Sequence, residues 1–114
     1  MKTMDEIVAA FAAVEIRTGT VLEAEPIAGA RKPSYKLRVD FGLATGTRTS
    51  SAQLTRRYQA SELIGKQVLG VVNLPVKRIA GVASEVLTLG VEDEDGAVVL
   101  IVPENRVPNG ARLF

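Results

Sequence analysis

The sequence contains no cysteine, no histidine and no tryptophan. Without thiols there are no disulfides and no thiolate nucleophile, which fits a reducing compartment. Without imidazole there is no Ser-His-Asp or Cys-His relay, and a zinc site loses its usual nitrogen and sulfur ligands together. No apolar run approaches the roughly 20 residues that span a bilayer, so no membrane insertion is expected. Gly42 and Gly46 stand in neither the P-loop nor the dinucleotide-binding spacing. The run Glu92, Asp93, Glu94, Asp95 lacks the alternating oxygen ligands and following Glu of a calcium loop, and reads as a solvated turn. No pair of acids is marked out for acid–base work. These absences together lead to the expectation of a non-enzymatic protein with no metal and no cofactor.

What is present is a globular composition, 46% hydrophobic and 24% charged over 114 residues, enough for one domain around one core. Met1 and Lys2 lead into an acidic amphipathic stretch, unlike the basic start and apolar core of a secretory signal, so a cytoplasmic location is expected. Charge is distributed unevenly. The formal net charge is only +1, yet between Arg31 and Arg78 stand Arg31, Lys32, Lys36, Arg38, Arg48, Arg56, Arg57, Lys66, Lys77 and Arg78 against Asp40 and Glu62 alone. A segregated basic surface attracts polyanions; the competing reading is a solvated surface balanced in space by the acidic ends.

Thr3-Met4-Asp5-Glu6 is a capping box, and Met4, Ile7, Val8 and Phe11 then recur at helical spacing, which predicts a helix ending near Ala13. So short a helix is marginal in water, and its apolar stripe needs cover from the domain or from a second subunit. From Ile16 the pattern becomes extended. Strands are predicted over Ile16–Ile27, Tyr35–Gly42, Arg48–Leu54, Gln67–Leu74, Ser84–Val91 and Ala97–Val102, with a helical turn at Ala60–Ile64. Pro26, Gly29 and Pro33 make Ala28–Ser34 a loop. Short, regularly spaced strands without long intervening helices point to an all-β antiparallel barrel or sandwich.

The run Phe11–Gly19 (FAAVEIRTG), Ser50-Ser51-Ala52-Gln53, the segment from Asn73 to Leu87 and Val107-Pro108-Asn109-Gly110 together resemble the tRNA-binding domain family over nearly the whole chain. Ala30-Arg31-Lys32-Pro33-Ser34-Tyr35-Lys36-Leu37 is most similar to its stand-alone, export-related chaperone branch. The resemblance implies a five-stranded OB-fold Greek-key barrel with a short N-terminal helix and short connecting helical turns. Residues 1–14 would form the amphipathic helix, and 15–114 the OB-fold with a C-terminal tail. It further implies a homodimer that binds tRNA or structured RNA and, in that branch, unfolded precursor proteins in export. The alternative is a dedicated tRNA-binding protein, or a trans-acting tRNA cofactor, without a chaperone role. Where the family often has Met after the Ser-Glu pair, this chain has Val86.

The RNA face corresponds to Arg31, Lys32, Lys36, Arg38, Arg48, Ser50, Ser51, Lys77, Arg78, Ser84 and Glu85. Cations there would neutralise phosphates, and arginine can also stack on an unpaired base. Ser50 and Ser51 suit phosphate or base contacts and equally suit bonds to neighbouring backbone. Glu85 suits accepting from a base amine or anchoring a nearby arginine. Asn73 suits a cap or turn, with a base contact as its other reading. With only Phe11, Tyr35, Phe41, Tyr58 and Phe114 as aromatics, stacking platforms are scarce, which favours backbone and shape recognition of folded RNA. Tyr35 is the candidate stacker, with a buried barrel position as its other reading. Leu74, Pro75, Val76, Ile79 and Val82 would line a peptide groove if they are not core. Met4, Ile7, Val8, Phe11, Leu113 and Phe114 are the expected dimer contacts.

Overall fold

The computed structural model describes all of residues 1–114. Helix α1 (Met4–Ala13) starts at the capping box: the Glu6 amide donates to Thr3 Oγ1 and the Thr3 amide returns to Glu6 Oε1, each at 3.2 Å. Asp5 and Glu6 lie at its positive end. None of its residues is buried, so the apolar stripe is uncovered within the single chain. The far end is held by Asn73, whose Nδ2 donates to Ala13 O at 2.8 Å while its Oδ1 accepts from the Glu15 amide at 2.9 Å. Asn73 is therefore a clamp across 58 residues of sequence.

Strands β1 (Ile16–Pro26), β2 (Tyr35–Asp40), β3 (Thr47–Ala52) and β4 (Gln67–Val71) follow, joined after β2 by α2 (Gly42–Thr45) and before β4 by α3 (Ala60–Leu63). Next come β5 (Lys77–Ile79), β6 (Val82–Ser84), β7 (Leu87–Thr88), β8 (Gly90–Glu92) and β9 (Val98–Leu100). The main sheet has the antiparallel order β3-β2-β1-β4-β7. It curls until its ends meet: the Glu85 amide donates to Thr49 O at 2.8 Å, and Ser50 Oγ donates to Val86 O at 2.9 Å. The result is the nearly closed five-stranded OB-type barrel that the resemblance implies.

The barrel interior follows the period-two pattern. On β2, Tyr35, Leu37 and Val39 point inward and are buried, joined by Val21, Phe41, Leu54, Leu63, Val68 and Val86. Phe41 lies over two glycines that make room for it. A Cβ on Gly19 would come within 2.8 Å of its ring, and one on Gly70 within 3.2 Å of it and 2.5 Å of Val86. Tyr35 takes its buried reading, its hydroxyl donating to Tyr58 O at 2.8 Å. The tail returns along β1: the Thr18 amide donates to Ala111 O, Gly110 donates to Thr18 O and Leu113 donates to Ile16 O. Asn109 accepts from Thr20 Oγ1 at 2.7 Å, so the Val107–Gly110 motif fastens the tail to the barrel.

Several boundaries differ from the sequence-based expectations; β4, expected to run to Leu74, already ends at Val71. The β2 strand stops at Asp40, whose Oδ1 accepts from the Gly42 amide at 2.8 Å and starts a turn. The predicted strand Ser84–Val91 is divided among β6, β7 and β8. Lys77–Ser84, where no strand is predicted before Ser84, forms the β5–β6 hairpin, closed by Ala80 (φ 47°) and Gly81 (φ 83°), the two positive φ values of a type I′ turn. Ala at the first of those positions carries no sequence signal for such a turn.

Candidate nucleic-acid interface

The loop Ile27–Ser34 and the β5–β6 hairpin face one another across a cleft of about 1120 Å³. The loop brings Arg31 and Lys32; the hairpin brings Lys77 and Arg78. All four are exposed. Leu74, Pro75, Ile79 and Leu87 supply apolar lining, and Gly29, Ala30, Ser34, Ser51, Gln53, Ala80, Ser84, Glu85 and Val86 complete the wall. Of the residues expected to form a peptide groove, Val76 and Val82 fall outside the lining. Leu87 is an addition that the sequence does not suggest; its place beside Val71 on the sheet brings it to the rim.

The remaining expected cations do not join this cleft. Lys36 and Arg38 project from β2 onto the outer face of the barrel, opposite Glu25 and Glu23 of β1, with ion-pair separations of 4.0 and 3.7 Å. Arg48 Nε donates to Thr45 O. Arg57 is engaged by the acidic run, at 2.6 Å from Asp93 Oδ2 and 3.1 Å from Asp95 Oδ2, and Arg56 donates to Asp95 O. The Arg57 hydrogen bond holds the Asp93 carboxyl below its ordinary range, helped by amide donors from Ala97 and Asp95 and opposed by desolvation. Asp93 in turn raises Arg57. The run 92–95 is thus the turn expected, with Arg57 as its counter-ion.

Cations with neither an acidic nor a hydrogen-bonding partner are Lys2, Arg31, Lys32, Lys66, Lys77 and Arg78, and all but Lys2 and Lys66 line the cleft. Charge that is spread over the sequence is therefore concentrated, as available charge, at one place. The serines have a different position. Ser50 is fully buried, its hydroxyl donating to Val86 O and lying 2.8 Å from Thr88 Oγ1. An RNA contact from Ser50 is accordingly corrected to a role in barrel closure. Ser84 Oγ accepts from the Ser51 amide at 3.0 Å, and Glu85 Oε1 accepts from the Thr49 amide at 3.0 Å.

Residues 16–112 match the family model described as "Putative tRNA binding domain". The chain belongs to the tRNA-binding domain family. It is 43% identical to the chaperone CsaA of Bacillus anthracis, with a TM-score of 0.86 over 100% of this chain and 99% of that one. CsaA of Picrophilus torridus is 39% identical, with a TM-score of 0.88 and complete coverage of both chains. A methionine–tRNA ligase of Porphyromonas gingivalis is 39% identical over 103 residues, which is 90% of this chain and 15% of the ligase. The chain therefore spans about one-seventh of the length of the curated ligases it matches. No helix is long and apolar enough to cross a membrane.

Proposed function

We propose that this tRNA-binding-domain protein is a non-enzymatic module of the CsaA type, cytoplasmic and homodimeric, which grips folded tRNA-like RNA in the cleft between the 27–34 loop and the β5–β6 hairpin. The observation that carries this reading is the convergence of Arg31, Lys32, Lys77 and Arg78, unpaired and exposed, on the loops that border the OB strand face. Phosphates entering the cleft release counterions from the RNA, and the two arginines can fork onto a phosphate oxygen pair. Ser51 adds a polar group to the cleft wall; Lys36 and Arg38 on the outer face of β2 add phosphate contacts only after leaving their acidic partners, and Arg48, opposite Val39 in the register, lies apart from them. These exposed pairs are weak, worth at most about 1 kcal/mol each.

A second reading, a hold on extended segments of precursor proteins for export, is supported by the apolar floor of Leu74, Pro75, Ile79 and Leu87 beside the same cations. Both ligands would then compete. The R31A/K32A variant tests the RNA role: it should weaken binding to every tRNA alike and flatten the log–log salt slope by about 0.7 to 0.9 for each phosphate left without its cation. An unchanged slope rejects the assignment. An unfolded signal-bearing peptide that displaces labelled tRNA supports one shared cleft; peptide binding with no tRNA binding at all makes the chaperone reading the primary one.

A further inference from the structure

A carboxylate in a cleft built for a polyanion works against binding, yet Glu85 lines this one. Its hydrogen bonds show what it does. Glu85 Oε1 accepts from the Thr49 amide at 3.0 Å while the Glu85 amide donates to Thr49 O at 2.8 Å, a reciprocal pair between one residue's side chain and backbone and the edge of β3. One step earlier, Ser84 Oγ accepts from the Ser51 amide at 3.0 Å. Side chains from the hairpin thus occupy alternate amides of the β3 edge, in the place where a continuous strand would have offered carbonyls.

This junction is the root of the β5–β6 hairpin. That hairpin is a separate two-stranded sheet paired only with itself, an arrangement of marginal stability without support. Lys77 stands directly opposite Ser84 in its register, and Arg78 opposite Ala83. The cations that face the loop are therefore carried by a strand whose partner leads straight into Glu85. We propose that Glu85 is a positioning residue: it does not meet RNA but latches the hairpin to β3, so that Lys77 and Arg78 stand across the cleft from Arg31 and Lys32. This role rests on the RNA reading of the cleft.

The two functions of the side chain, acceptor and charge, have opposite consequences, which makes the role testable by sign. E85Q keeps an acceptor oxygen for the Thr49 amide and removes the negative charge, so it should bind labelled tRNA as tightly as wild type or more tightly. E85A removes the charge and the acceptor together and should bind about fivefold more weakly, with a shallower salt slope. In a K77A/R78A background, E85A should cause no further loss, because there is no cationic pair left to position. Amide exchange at Thr49, faster in E85A and slow in E85Q, reports the latch in the folded protein independently of RNA. Equal strengthening by E85Q and E85A would overturn the proposal and leave Glu85 acting through charge alone. So would a loss in E85A that persists in the K77A/R78A background. Failure of wild type to bind tRNA removes the functional reading and this role with it, whereas binding with like-signed effects removes this role only.

Discussion

Asp93 and Arg57 show at the scale of single residues how little of a charge's availability is written in its neighbourhood. Arg57 belongs by sequence to the basic stretch, but its partners Asp93 and Asp95 are 36 and 38 positions away. Because the folded Asp93 carboxyl titrates below its ordinary value, its contribution to stability is present above the unfolded aspartate value near 4 and is lost as pH falls through the lowered one. Wild type should therefore lose stability below about pH 4 more steeply than D93N, measured by denaturant midpoints at successive pH values. Parallel profiles would show that the pair contributes nothing. Lys36 and Arg38 make the same point, since their acidic partners follow only from the β1–β2 register. The composition of the cleft was legible as residue types in the sequence. Which cations stay unpaired was not, because pairing is decided by register and long-range packing. Ser50 marks the limit from the other side: nothing local distinguishes a serine aimed at a buried carbonyl from one aimed at solvent.

Among the elements, α1 was the most legible, because its capping box and apolar spacing are both local. Its environment is another matter. Met4, Ile7, Val8 and Phe11 are all at least half exposed, and the completely exposed Phe114 follows the tail that packs along β1. Two-fold pairing through this stripe would cover it and set two basic clefts on one particle. F11D should then be a folded monomer by light scattering, with wild-type circular dichroism; a variant that stays dimeric places the interface elsewhere. The β5–β6 hairpin was the least legible element. Its strands are three residues each, and its turn places Ala80 at a positive φ that glycine or asparagine would have advertised. A tertiary latch on β3 supplies what local propensity does not.

For the molecule as a whole, a net charge of +1 gives no hint of polyanion binding. The barrel sorts its charges: acids of β1 face Lys36 and Arg38, the 92–95 turn takes up Arg57, and one end carries Arg31, Lys32, Lys77 and Arg78 without partners. On the proposed function, this placement, and not total charge, binds tRNA. The most direct test compares two variants that remove equal charge, K77A/R78A in the cleft and K2A/K66A outside it, by titrating labelled tRNA over a salt series. Only K77A/R78A should lower affinity substantially and flatten the slope, by about 0.7 to 0.9 for each phosphate no longer neutralised. Equal effects from both pairs would contradict it.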